Sequence, residues 1–375
     1  KMRILQIGKF YPLVGGVEKV MYEITTGLSE KGIDCDMLCA KNDNAQSDIV
    51  NLNPHGKLIC CKSWISLART TIAPSMISEL RRRVKDYDII HIHHPDPMAA
   101  VALMLSGYSG KVVLHWHSDI LSQKFLLKFY LPIQNWLIRR ADAIVGTSPV
   151  YLTESPYLQK VQDKTRCIPI GIEPNRSDEA KATKIRNEYS GRRIVFSLGR
   201  LVEYKGFRYL IEAAKYLDDS YMILIGGGGP LREDLQNQID ELGLGHRVKL
   251  LGKVPQEDLP SYYGACDLFC MSSVMKTEAF GIVQIEAMSE GRPLIATKIP
   301  ASGVAWVNED GVSGINVEPR DSKAIAEAVK SITKDEATWR RYSDGARQRF
   351  AKYFTKEKML IDCLALYTEI LKSSR

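Results

Sequence analysis

Apolar and polar positions alternate along this chain in two repeated programmes, each a series of short buried-strand runs separated by helical or loop segments. In the first half the strand-like runs are RILQIG from Arg3, CDMLCA near residue 37, DIIHIHH at 88–94, KVVLHWH at 111–117 and DAIVGTS at 142–148. Helical patterns fall between them, at VEKVMYEITTGLSEKG, at about 97–106 and at KFLLKFYLPIQNWLIRR from Lys124 to Arg140. After a polar stretch from Asn175 to Arg192 a second series begins: RIVFSLGR at 193–200, YMILIGGGGP at 221–230, RVKLLGKV at 247–254, DLFCMSS at 267–273, RPLIATK at 292–298 and GINVE at 314–318. Runs of this kind separated by helices predict an α/β fold whose parallel sheets are covered on both faces. The repeat predicts two such domains, 1–185 and 186–354, with the linker in the polar stretch. A last helix, from about Thr355 to Leu371, takes Thr355 as its N-cap. Two Rossmann-like domains imply a cleft at the carboxyl ends of both sheets, where ligands bind in such folds.

Composition sharpens this reading. With 375 residues, 45% hydrophobic and 25% charged, the chain is long enough for two ordinary domains and is neither disordered nor fibrous. The longest apolar run, Met98–Leu105, falls well short of the roughly 18 residues a membrane span needs. The N-terminus runs straight into RILQIG without a signal-like segment. Cys35, Cys39, Cys60, Cys61, Cys167 and Cys266 lie in or beside strand-like runs, so reduced, buried thiols and a cytoplasmic location are expected. Cys266 and Cys270 have C-x3-C spacing, but no second pair completes a zinc site.

The net charge of +7 is concentrated in the first half. Residues 1–185 carry 24 Lys+Arg against 18 Asp+Glu, and residues 186–375 carry 27 against 26. The basic residues cluster at Lys62–Lys85 and in Lys124–Arg140, where Phe, Leu, Tyr and Trp interleave with cations. That second segment suits an anionic membrane surface, and equally a core-facing helix with a basic outer face. Nucleic acid is not an expected partner, because no binding module accompanies the charge.

Several constellations carry candidate chemistry. In TEAFGIVQIEAMSEG, Glu278 and Glu286 bracket a short apolar run that opens into a helix near Phe280. Free N–H groups at the turn Phe280-Gly281-Ile282 can hold an anion, and Gly281 allows close approach of a ligand. Glu286, about one and a half turns in, points back to that start, so the two carboxylates can grip hydroxyl groups flanking an anion. An amphipathic helix with two solvated carboxylates gives the same pattern. Arg200 and Lys205, just after the first strand of the second domain, suit a diphosphate: a planar fork and a point charge. Gly15 and Gly16, between strand and helix, form a second phosphate-cradle layout. The glycines at 226–229, followed by Pro230, exceed what one turn requires, which favours ligand approach there. Of five histidines at two strand ends, His91 and His93 share one side as packing candidates, and His117 is best placed to reach a ligand. No carboxylate pair in D-x-D form ends a strand, so a metal-free site is expected.

These stretches, in their order and spacing, resemble the retaining glycosyltransferases of family 4 over nearly the whole chain. FYPLVGGVEKV, DIIHIHHPDP, HWHSD, IPIGIE, LGRLVEYKGF, GGGGPL and TEAFGIVQIEAMSEG carry the resemblance. It implies a GT-B fold with two Rossmann-like domains and a final helix returning to the first. By the same resemblance, Gly15 and Gly16 serve the donor diphosphate and the acceptor side, and His117 contacts the transferred sugar. Arg200 and Lys205 bind the diphosphate, Glu278 the sugar hydroxyls and Glu286 the ribose, while Lys253 and Val254 read the base through backbone groups. Where the family reads G-D-G-P, this chain has Gly227-Gly228-Gly229-Pro230, which removes a side chain at Gly228.

Phrases such as KTEAFGIVQIEAM resemble bacterial mannosyltransferases of O-antigen and exopolysaccharide assembly. That resemblance implies GDP-mannose as donor, with a UDP-sugar as the alternative, a polyprenyl-diphosphate-linked saccharide as acceptor, and no cofactor or metal. A sugar-nucleotide epimerase, a transferase with a soluble acceptor and a non-catalytic partner subunit remain open on sequence alone.

Overall fold

The computed structural model describes residues 1–13, 15–41, 46–67, 70–121 and 124–373. The chain divides into two compact units, Lys1–Ile170 with Lys356–Arg375, and Gly171–Thr355.

The first unit is built on ten strands among the described residues: β1 (Arg3–Tyr11), β2 (Asp34–Lys41), β3 (Asp48–Asn53), β4 (Gly56–Cys61), β5 (Ile65–Leu67), β6 (Thr70–Ile72), β7 (Ile89–His94), β8 (Lys111–Trp116), β9 (Ala143–Gly146) and β10 (Thr165–Cys167). Eight of them form one sheet in the order β10-β9-β8-β7-β1-β2-β4-β3, and β5 and β6 pair separately. Every neighbour in the large sheet is parallel except β3 with β4. This antiparallel edge departs from the expected all-parallel sheet. Its cause is β3 itself, whose exposed and half-buried residues suit a strand with one wet face, unlike β7, buried at all six positions. Cys167 also departs from expectation: it is exposed, because β10 is the outer strand.

The second unit carries β11 (Arg193–Leu198), β12 (Tyr221–Gly226), β13 (Val248–Gly252), β14 (Leu268–Cys270), β15 (Leu294–Thr297) and β16 (Gly314–Val317). They form one parallel sheet in the order β13-β12-β11-β14-β15-β16. Chain direction across the sheet reverses between β11 and β14, and in the first unit between β1 and β7. Open α/β sheets bind ligands beyond the carboxyl ends of strands at such points.

The unit boundary falls fifteen residues before the expected 185/186. The polar stretch is not a free linker: it contains the helix Glu179–Glu188, held to the second unit. Ser177 N donates to Glu290 Oε1 at 2.9 Å, Lys181 pairs with Asp258 at 2.8 Å, and Arg186 donates to the Gly264 carbonyl at 3.1 Å. The final helix, Lys356–Lys372, packs in the first unit on the helix Gly16–Glu30, with Lys31 paired to Glu357 at 2.9 Å and Lys356 to Glu23 at 2.6 Å.

Candidate active site

At the reversal point of the second unit, the loop after β11 carries Arg200 and Lys205 and the loop after β14 leads to Glu278. Lys205 Nζ and Glu278 Oε2 form a close ion pair, with 13% and 12% of the side chains exposed. Ser273 donates to the same carboxylate oxygen at 3.1 Å, and Ser272 donates to the Lys205 carbonyl at 2.9 Å, which ties the two loops together. Burial by itself lowers the Lys205 pKa, but the charge and hydrogen bond of Glu278 more than offset it and the value is raised. Arg200 is exposed and makes no ion pair or side-chain hydrogen bond among the described residues, so its fork faces solvent.

The helix expected near Phe280 begins at Ile282, with Gly281 as its N-cap at φ +80°. A Cβ on Gly281 would lie 2.6 Å from Met271 Cε, so conformation and space both call for glycine. Gln284 N bonds the Gly281 carbonyl at 2.9 Å, while the amides of Gly281, Ile282 and Val283 carry no hydrogen bond among the described residues. Those free amides and the helix dipole can favour an anion at this turn. The Phe280 ring is buried against Phe354, 5.8 Å between centroids, so only its backbone is left for a ligand. Glu286 is half-buried, and its Oε2 accepts from the hydroxyl of buried Tyr263 at 2.7 Å. Sequence gave no signal for Tyr263, Ser272 or Ser273 as supports of this site.

The glycine run corrects an expectation. A Cβ on Gly227 would lie 1.8 Å from the Gly199 carbonyl oxygen, one on Gly229 2.6 Å from the Leu201 backbone, and one on Gly226 3.0 Å from Leu198 Cδ1. Packing against the neighbouring loop backbone therefore accounts for Gly227 and Gly229, while at Gly226 the Leu198 and Val254 side chains leave little room. Only at Gly228 is the space open. Pro230 and Lys253 are exposed, and Val254 is half-buried against Gly226.

In the first unit, Gly15 caps the helix Gly16–Glu30 and both glycines are exposed. Glu18, in the first turn, is buried beneath Gly15 with its Oε2 unpartnered among the described residues, a feature sequence reading missed. At β7 and β8 the rings of His91, His93, His115 and His117 stack, and His94 stacks on Trp116 at 3.9 Å. His117 lies just beyond β8 and is 6% exposed, its Nε2 2.9 Å from His93 Nδ1. Burial pushes all five imidazoles below their ordinary pKa, His94 and His115 to about 3. One nitrogen from each of His91, His93 and His115 lies within 4.8 Å of the other two, the one group of metal-ligand type among the described residues. Five of the six nitrogens of these rings are already hydrogen-bonded, so an ion there would have to break that network.

Both units match known families. Residues 14–176 match "Glycosyltransferase Family 4" and residues 178–349 match "Glycosyl transferases group 1". O-antigen chain mannosyltransferase C of Escherichia coli is 32% identical over 376 residues, spanning 99% of this chain and 100% of that one. The chain is a family 4 glycosyltransferase. A second relative of this glycosyltransferase, D-rhamnosyltransferase WbpZ of Pseudomonas aeruginosa, is 29% identical over 94% of this chain and 92% of its own. The GT-B fold is shared with Anabaena Alr3699/HepE, solved with UDP, at a TM-score of 0.79, 23% identity and coverage of 98% and 100%. Sucrose-phosphate synthase from Thermosynechococcus elongatus gives 0.79 at 22% identity, with both chains fully covered. In this hexosyltransferase, the loops that follow β11 and β14 at the reversal point of the second unit carry Arg200, Lys205, Glu278 and the Gly281 helix start, and Lys205 and Glu278 join the two loops.

Proposed function

We propose that this glycosyltransferase moves mannose from GDP-mannose, with retention of anomeric configuration, to a polyprenyl-diphosphate-linked saccharide during assembly of an O-antigen-type surface polysaccharide. The observation that carries this reading is the full-length likeness to an O-antigen chain mannosyltransferase. In the second unit, Arg200, Lys205 and the amides at Gly281 and Ile282 receive the donor diphosphate, Glu278 the sugar hydroxyls and Glu286 the ribose. Backbone groups at Lys253 and Val254, and the open wall at Gly228 and Pro230, take the base side. Gly15 and Gly16 serve the acceptor side and His117 the transferred sugar.

The chemistry is a same-face substitution that needs no metal. The bond from the anomeric carbon to the diphosphate breaks, the acceptor oxygen forms its bond on that same face, and the departing phosphate oxygen takes the acceptor's proton. Arg200, Lys205 and the helix start stabilise the charge that develops on the leaving group. The chain works at an anionic membrane face: no helix among the described residues is long and apolar enough to cross a membrane, yet Trp64 and Phe129 are 68% and 69% exposed on the more basic half of the chain.

A thermal-shift screen of GDP, UDP, ADP and their sugars tests the donor, since a ligand that binds the folded state raises its melting temperature. GDP and GDP-mannose are expected to shift it, and transfer of labelled mannose to a polyprenyl-diphosphate saccharide should follow. A shift with UDP compounds alone would refute GDP-mannose. The likeness to a D-rhamnosyltransferase supports a second donor, because D-rhamnose is mannose without its 6-hydroxyl. Faster transfer from GDP-D-rhamnose than from GDP-mannose would select it.

A further inference from the structure

One unbroken hydrogen-bond chain runs through six side chains of the first unit. His117 Nε2 meets His93 Nδ1 at 2.9 Å, His93 Nε2 meets Gln6 Oε1 at 2.7 Å, and Gln6 Nε2 meets the Tyr367 hydroxyl at 3.1 Å. The chain continues from that hydroxyl to His91 Nδ1 at 2.5 Å, and from His91 Nε2 to His115 Nδ1 at 3.1 Å. Gln6, His91, His93, His115 and Tyr367 are fully buried and His117 nearly so. Burial holds the four imidazoles neutral. A neutral imidazole has one donor and one acceptor nitrogen, so each proton placed on the chain fixes the next.

Gln6 sets the direction. Its amide nitrogen lies on Tyr367, so its oxygen accepts from His93 Nε2–H, and His93 Nδ1 must then accept. The proton between His93 and His117 therefore belongs to His117 Nε2. That leaves His117 Nδ1 with a lone pair, and it makes no hydrogen bond among the described residues. On the other side the same direction ends at His115 Nε2–H, which has no partner among the described residues.

We infer that Tyr367 is a positioning residue: by holding the Gln6 amide in one orientation it fixes His117 in the Nε2–H tautomer and presents Nδ1 as an acceptor for a hydroxyl of the bound sugar. The hydroxyl ligand rests on the transferase reading of His117; the tautomer does not. The Tyr367 hydroxyl accepts from the Gln6 amide because its own proton goes to His91 Nδ1; without it, only Cys35 Sγ at 3.9 Å remains beside the amide nitrogen. The amide can then turn over, reverse the His93 tautomer and give His117 an Nδ1–H, a donor in place of an acceptor. The C-terminal helix, 361 positions from Gln6, thereby sets the hydrogen-bonding sense of a candidate site residue.

Histidine tautomers are read from long-range 1H–15N correlation spectra of the 15N-histidine-labelled protein near neutral pH, with His117→Gln assigning the signal. Wild type is expected to show one neutral Nε2–H form of His117, and Tyr367→Phe a mixture or the Nδ1–H form. Tyr367→Phe combined with Gln6→Glu, which places an acceptor oxygen at both ends, should restore the single Nε2–H form. Loss of packing alone predicts no such rescue. An Nδ1–H form or an imidazolium in wild type, or an unchanged spectrum in Tyr367→Phe, overturns the assignment. Wild type alone supplies the first of these outcomes, so the test stands even where a variant fails to fold. If the tautomer is as expected but no nucleotide sugar perturbs the His117 signal, the sugar-facing role falls while the positioning role of Tyr367 stands.

Discussion

Lys205 and Glu278 neutralise each other across the two loops that end β11 and β14, and both are almost shut off from solvent. A carboxylate read as a sugar ligand and a cation read as a phosphate ligand are thus one unit before any donor arrives. On the proposed reading, a phosphate entering the site would take over part of the charge on Lys205 and leave Glu278 to accept from sugar hydroxyls.

Lys205→Ala should lower turnover on the order of 100-fold or more, because a positioned donor is lost from the leaving-group side. Glu278→Gln should affect stability in a pH-dependent way. The folded-state pKa of Lys205 is raised, so its contribution is fully present below the ordinary lysine value of about 10.4 and is lost as pH rises through the folded value. Melting temperatures of wild type and Glu278→Gln should therefore differ at pH 8 and converge as pH rises through the folded value. A constant gap across that range would remove the pair from the stability of the fold.

The glycine run predicts opposite outcomes at adjacent positions. Gly227→Ala and Gly229→Ala drive a methyl into the backbone of Gly199 and Leu201 and should cost roughly 2 kcal/mol or more in denaturant unfolding. Gly228→Asp points into open space and should stay within about 0.5 kcal/mol of wild type. Its effect should appear instead as an altered nucleotide Kd by calorimetry.

What sequence revealed follows from where the signal was local. KVVLHW and RIVFSL are nearly continuous buried strands, and the residues just past their ends are His117 and Arg200. The hairpin of β3 and β4 escaped notice because β3 is half-wet and polar. The helix Glu179–Glu188 read as a linker because it buries one residue, Ala182, and is held by charged groups distant in sequence. The packing of the Phe280 ring on Phe354 was not legible in the sequence, and it leaves the backbone of the Phe280-Gly281-Ile282 turn for a ligand. Tyr263 under Glu286 and Tyr367 under the histidines are long-range partners, and no spacing rule reaches them.

Tyr263→Phe should separate binding from chemistry. The phenol orients Glu286 by a hydrogen bond to a carboxylate, a contact worth about 1.5–3 kcal/mol. Its removal should weaken nucleotide binding about tenfold by calorimetry, the equivalent of roughly 1.4 kcal/mol. The turnover number at saturating donor should change far less. A fall in kcat with Kd unchanged would place Glu286 with the reacting groups rather than with the ribose.

Acid should unfold the first unit through its histidines. Each of His91, His93, His94, His115 and His117 has a folded pKa below its unfolded value, because burial disfavours the charged ring. The unfolded chain then binds more protons than the folded one between the two values. Stability is therefore full above the unfolded value of about 6.5 and falls as pH drops below it, by up to about 1.4 kcal/mol per pH unit for each histidine. Denaturant titrations at pH 7.5, 6.0 and 5.0 should show a steepening loss, and replacing one ring should remove about one proton from the slope. His94 suits this substitution: both its nitrogens lack partners among the described residues and it stacks on Trp116, so His94→Phe keeps an aromatic ring there and orphans no hydrogen-bond partner among them. A flat profile from pH 7.5 to 5.0 would mean that the stacked histidines are charged in the folded protein, and the directional chain from Tyr367 to His117 would fall with them.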